Sequence, residues 1–130
     1  VIVNLATFIA AYLGVPNTGD TPGNAGQCVG LVEKWLDTNG KQHIWGNAKD
    51  LLAQADLKQF KVVHNLPLNA PQPGAVVCWD GTWGGGFGHT AVVVAANRRF
   101  MAVFEQNNPA GSPPVVATHG YTGVLGWISW

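Results

Sequence analysis

Residues 88–107 read Gly88-His89-Thr90-Ala91-Val92-Val93-Val94-Ala95-Ala96-Asn97-Arg98-Arg99-Phe100-Met101-Ala102-Val103-Phe104-Glu105-Gln106-Asn107. Two apolar, partly β-branched runs flank the short polar turn Asn97-Arg98-Arg99, the pattern of an antiparallel hairpin. With Ala96 set opposite Phe100, Ala91 falls opposite Glu105 and His89 opposite Asn107. Side chains alternate along a strand, so His89, Glu105 and Asn107 then share one face, with Glu105 diagonal to His89 and within reach. A one-residue slip would undo this arrangement. A carboxylate closing an otherwise apolar strand is hard to account for as filler.

Working outward, the second half of the chain continues as strands and the first half as helices. Strands are expected at 60–64, 74–80, 89–96, 99–107, about 114–119 and 124–129, separated by Pro and Gly clusters. Helices are expected at about 3–13, about 25–38 ending at Asn39-Gly40, and about 47–56, the last opened by Asn47 as N-cap. The Pro, Gly, Asn and Thr-rich stretch Gly14 to Gly23 links the first two helices, and Pro67 to Pro73 is a connector, not a domain boundary. Helices followed by antiparallel strands make an α+β fold, a single domain over 1–130 with N-terminal helices packed on a sheet of about five to six strands.

Composition narrows the function classes. Seven Lys and Arg balance seven Asp and Glu, with no basic patch for nucleic acid. The apolar segment Val1 to Leu13 carries Asn4 and Thr7 and lacks a basic flank, so it reads as a packed helix, not a signal peptide or a membrane span. The chain opens on valine, as a fragment or a processed form would. A domain of this size needs no disulfide between its two cysteines.

Cys28 stands in Asn24-Ala25-Gly26-Gln27-Cys28-Val29-Gly30, directly ahead of Leu31, Val32, Trp35 and Leu36 at helical spacing. Asn24 and Gln27 read as a capping-box variant, which starts the helix just before the cysteine. A thiol in a first helical turn feels unpaired amide donors and the positive end of the macrodipole, and both favour the nucleophilic thiolate. A lone cysteine on this stripe also reads as a small buried hydrophobe. Cys78, inside Ala75-Val76-Val77-Cys78-Trp79, reads as an inert core thiol. The loop Asp80 to Gly88 delivers the chain to His89, and Trp79, Trp83 and Phe87 are candidates to line a substrate groove. The alternative is a surface turn with one or two aromatics packed down. Trp127 and Trp130 read as sheet core.

Four segments in order carry a resemblance: Gly26-Gln27-Cys28, Pro73-Gly74-Ala75-Val76-Val77, Gly88-His89-Thr90-Ala91-Val92-Val93 and Phe104-Glu105-Gln106-Asn107. Together they resemble CHAP domains, the cysteine, histidine-dependent amidohydrolases/peptidases of bacterial cell-wall hydrolases and phage lysins. The resemblance implies a papain-like, NlpC/P60-type fold and a peptidoglycan hydrolase, phage-encoded or secreted, acting at the cell wall as a monomer or within a larger lysin that has a wall-binding domain. It implies Cys28 as nucleophile, His89 as general base, Glu105 as the group orienting the histidine, and Asn107 as support. An acyl-enzyme mechanism then places the oxyanion at the Cys28 amide, with a donor from Gln27.

One departure from the family pattern bears on cofactors. Many members carry a calcium loop with aspartates around the cysteine, and the corresponding positions here are Gly19, Thr21, Gly23, Ala25 and Gly30. Asp20 alone is a poor substitute for several carboxylates. His43, His64 and His119 are scattered without ligand spacing, so no calcium, zinc or other cofactor is expected. Two other readings remain open: a non-catalytic wall-binding or phage structural module, and a papain-like amidase acting on another amide.

Overall fold

Strands buried on both faces organise the molecule. The computed structural model describes residues 4–58, 60–65 and 69–130. Among these, α1 (Leu5–Tyr12) and α2 (Cys28–Thr38) come first, followed by a 3-10 turn (Ala48–Asp50) that runs into α3 (Leu51–Asp56). Six strands follow, β1 (Lys61–His64), β2 (Val76–Trp79), β3 (His89–Ala96), β4 (Met101–Glu105), β5 (Val115–His119) and β6 (Val124–Ser129), in the order β1-β6-β2-β3-β4-β5. Every pairing is antiparallel. The chain is therefore α+β, as expected.

The period of two sorts the strands into two cores. Val76, Cys78, Val92, Phe104 and Ile128 pack against Phe8, the α2 stripe and α3. Trp35 of α2 fastens this layer, donating its indole N–H to the Gly74 carbonyl at 2.8 Å. Val77, Trp79, Ala91, Val93, Val103 and Trp127 form a second cluster on the other face, covered by Trp83 and Tyr121. That face is concave. The rings of Trp79 on β2 and His119 on β5 lie 5.6 Å apart although β3 and β4 run between them, whereas a flat sheet would separate those strands by about 14 Å. Among the described residues no helix is long and apolar enough to cross a membrane.

Several boundaries differ from expectation for local reasons. The helix expected from about 25 starts at Cys28, and its N-cap Gln27 makes no side-chain cap bond. Asn24 does not cap, because its amide donates instead to the buried Glu33 carboxylate. Asn47 makes no side-chain cap either, and the first turn after it is 3-10. The hairpin turn is one residue longer than expected: Ala96 pairs with Met101, and Asn97 Oδ1 accepts from the Arg99 and Phe100 amides. A bulge between Val93 and Ala95 takes up the extra residue, so Val93 faces Val103 and Val92 faces Phe104. Continued, that register sets Glu105 opposite Ala91, beside His89. Residue 3 of the first expected helix and residues 67–68 of the expected connector lie outside the described residues.

Candidate active site

Cys28 opens α2 and is half-buried. The loop before it folds down on the first helical turn, and Gly30 is what permits this: a Cβ there would meet the Asn24 carbonyl at 2.2 Å and the Thr18 carbonyl at 2.6 Å. Two side chains fasten the loop. Buried Gln106 accepts from the Thr18 amide at 3.0 Å and donates to the Thr18 and Gln27 carbonyls at 2.9 and 2.7 Å. Glu33, 2% exposed, accepts from Thr21 Oγ1 at 2.7 Å and from the Asn24 amide. These uses leave a donor set unsuited to calcium. Thr21 and Asn24 are spent on Glu33, and the Asp20 carboxylate is ion-paired with Lys34.

His89 begins β3 after Gly88, whose φ of 82° and close approach to Lys49 N (2.6 Å from a built Cβ) leave no room for a side chain. The His89 side chain is almost fully buried. Its Nε2 lies 3.2 Å from Glu105 Oε1, and the ring shares its cleft with the Cys28 thiol, with which it interacts electrostatically. Burial alone would push the His89 pKa down, but hydrogen bonds to Cys28 and to Glu105 outweigh it and raise the pKa to about 9. Glu105 is the mirror case. Burial disfavours its charge, and the His89 and His119 rings overcome this and hold its pKa below the ordinary value.

The surroundings of the pair are aromatic. Trp83 stacks on His89 at 5.9 Å and 12°, and Trp79 lies against it at 5.2 Å. Both therefore pack against the imidazole and do not line the cleft. Trp79 is fully buried, which corrects its assignment to a substrate groove. Phe87, 62% exposed, does line the cleft. That cleft, about 290 Å³, brings together Gln27, Cys28, His89 and Asn107. Asn107 makes no hydrogen bond to His89. It donates to Gln27 Oε1 at 3.0 Å, and this leaves both Nε2 hydrogens of Gln27 available as donors. Cys78 is fully buried away from the cleft, and burial pushes its thiol up to about 12.

Four participants escaped the sequence reading. Gln106 and Glu33 hold the loop, Asn108 donates to Glu105 Oε2 at 3.2 Å, and His119 Nε2 lies 2.6 Å from Glu105 Oε1. Gln106 and Asn108 adjoin Glu105, and a polar run closing an apolar strand was the available signal. The lack of metal-ligand spacing around His119 says nothing about a carboxylate partner 14 residues away. Among the described residues no three His, Cys, Asp or Glu side chains are grouped to hold a metal ion.

A family model for the CHAP domain matches residues 17–107. Endolysin PlyTW of Staphylococcus phage Twort is 34% identical over 125 residues, covering 86% of this chain and 27% of that protein. Endolysin LysK of Staphylococcus phage K is 30% identical over 108 residues, covering 78% and 22%. The chain thus spans roughly a quarter of the length of these relatives, 27% and 22%. Among solved structures, the wild-type endolysin LysIME-EF1 superposes with a TM-score of 0.71 at 24% identity, over 97% of this chain and 63% of that one. PlyC does so with a TM-score of 0.70 at 20% identity, over 98% and 35%. These two likenesses are of fold.

Proposed function

The chain belongs to the CHAP domain family, and on that premise we propose that it is the catalytic domain of a peptidoglycan hydrolase that cuts an amide bond of the bacterial wall peptide. The observation that carries this reading is the Cys28 thiol at a helix start, within reach of a His89 ring whose far nitrogen is bound to Glu105, all at one open cleft. The short share of its relatives that the chain covers fits one domain of a longer lysin, phage-encoded or secreted.

A histidine with a pKa of about 9 is an imidazolium at neutral pH. With Cys28 as its partner, the reactive form is the thiolate–imidazolium pair, the thiol proton being carried by the ring. Sulfur attacks the amide carbonyl carbon, and the carbonyl oxygen takes the electron pair. The Cys28 backbone N–H, lacking an intrahelical acceptor, and the free Gln27 Nε2 hydrogens serve the oxyanion. Collapse breaks the carbon–nitrogen bond, and His89 gives its proton to the departing amine. The ring, now neutral, takes a proton from water, whose oxygen attacks the thioester carbonyl. Acid is released, and the proton on His89 restores the ion pair. Glu105 stays ionised throughout and stabilises the imidazolium. Asn107 acts one step away, aligning Gln27.

Mass spectrometry of fragments released from purified peptidoglycans tests the reading and names the bond. One new amine and one new carboxyl per cut, absent with Cys28→Ala, are expected. Equal release by Cys28→Ala would overturn it. Binding without release by the wild-type chain would favour a wall-binding module instead.

A further inference from the structure

We propose that His119 is a positioning residue for the Cys28–His89–Glu105 system, keeping Glu105 ionised and aimed at His89; this rests on the catalytic reading above. His119 ends β5, and none of the motifs that carry the family resemblance includes it. Its Nε2 lies 2.6 Å from Glu105 Oε1, closer than the 3.2 Å of His89 Nε2 to the same oxygen. An ionised carboxylate can only accept, so both rings must present an N–H to it. One lone pair of that oxygen is occupied by His119, and the other is left facing His89. Asn108 holds Oε2 at 3.2 Å, so the carboxylate is fixed from three directions.

His119 is itself held firmly. Its ring meets Trp79 and Trp83 nearly edge-on at 5.6 and 5.1 Å, the same two indoles that face His89. The titratable groups facing Glu105 are His89 and His119, and those facing His89 are Cys28 and Glu105. The coupling is mutual and has the same sense at each step along this chain of groups. Donation from His119 favours the charged carboxylate, the carboxylate favours the imidazolium, and the imidazolium favours the thiolate. A change at His119 therefore reaches the sulfur through two intervening side chains.

The test is the pH dependence of Cys28 alkylation by iodoacetamide in wild type, His119→Ala and His119→Gln, with wall clearance and thermal melting measured in parallel. In His119→Ala the acid limb of the alkylation profile moves to higher pH by about half a unit or more. In the same variant kcat for clearance falls about tenfold at unchanged KM. His119→Gln, which keeps an N–H donor, recovers most of both. Superimposable alkylation profiles for all three proteins would overturn the proposal, as would losses that follow melting temperature alone. Fully buried Cys78 contributes no background. Because alkylation reads the thiol without any wall substrate, a shifted profile in a protein that never clears walls would sink the hydrolase reading and leave the role of His119 standing.

Discussion

Cys28 and Cys78 carry the same thiol into opposite surroundings, a helix start at an open cleft and a closed core. Cys28→Ala should abolish wall clearance with an unchanged circular dichroism spectrum. Cys78→Ala should keep most of the activity while losing about 1 kcal/mol of stability from the small void it leaves. Clearance by the Cys28 variant with a dead Cys78 variant would reverse the assignment. At Glu105, the change to Gln should keep a trace of activity, because an amide can still hold the ring but cannot stabilise its charge. His89→Ala should lose as much as the cysteine change does. Taken singly, Cys28 and His89 also read as core filler, and it is their order along the chain together with Glu105 that marks them as candidates. Trp79 was misread: an aromatic beside a glycine loop looks the same in sequence whether it faces solvent or the back of an imidazole.

At the level of the element, the loop ahead of α2 was the least legible piece. Its hydrogen bonds to Gln106 join residues 88 positions apart, and no local pattern announces a partner so distant. Asn24 and Gln27 carried a cap signature, yet a buried carboxylate at Glu33 and an amide from Asn107 claimed both side chains. The hairpin was legible in its far half only because a longer turn and a bulge cancel. Gln106→Ala strips partners from Thr18 and from the Gln27 carbonyl, and each buried group left unpaired costs about 1–3 kcal/mol. A clearly lowered melting temperature and weakened clearance are expected, and an unchanged melting curve would remove Gln106 from this role. Since the loop is pinned by protein groups, melting temperature and clearance should be equal in calcium and in chelator. A rise in melting temperature with calcium, reversed by chelator, would reveal a site in the loop.

For the whole molecule, alternation within the strands made the α+β layering legible, whereas the curl that brings β5 near β2 depends on contacts no single strand encodes. The buried His89–Glu105 pair also gives stability a pH window. His89 is raised from 6.5 to about 9, so its contribution is full below about 6.5 and gone once the pH has risen past about 9. Glu105 is lowered from 4.5, so its contribution is full above that value and fades as the pH falls through the depressed one. Melting temperature should therefore peak between about 4.5 and 6.5, and Glu105→Gln should flatten both sides of the peak. A wild-type curve that keeps rising toward pH 9 would contradict this. The contacts between Gln106 and Thr18 have a further consequence, in time. Cys28 comes from the first quarter of the chain and His89 from the last half, and the contacts of Gln106 with Thr18 close a span of 88 residues. Loop closure of that length is slow to be rewarded, so on dilution from denaturant, recovery of lytic power should never run ahead of recovery of tryptophan fluorescence.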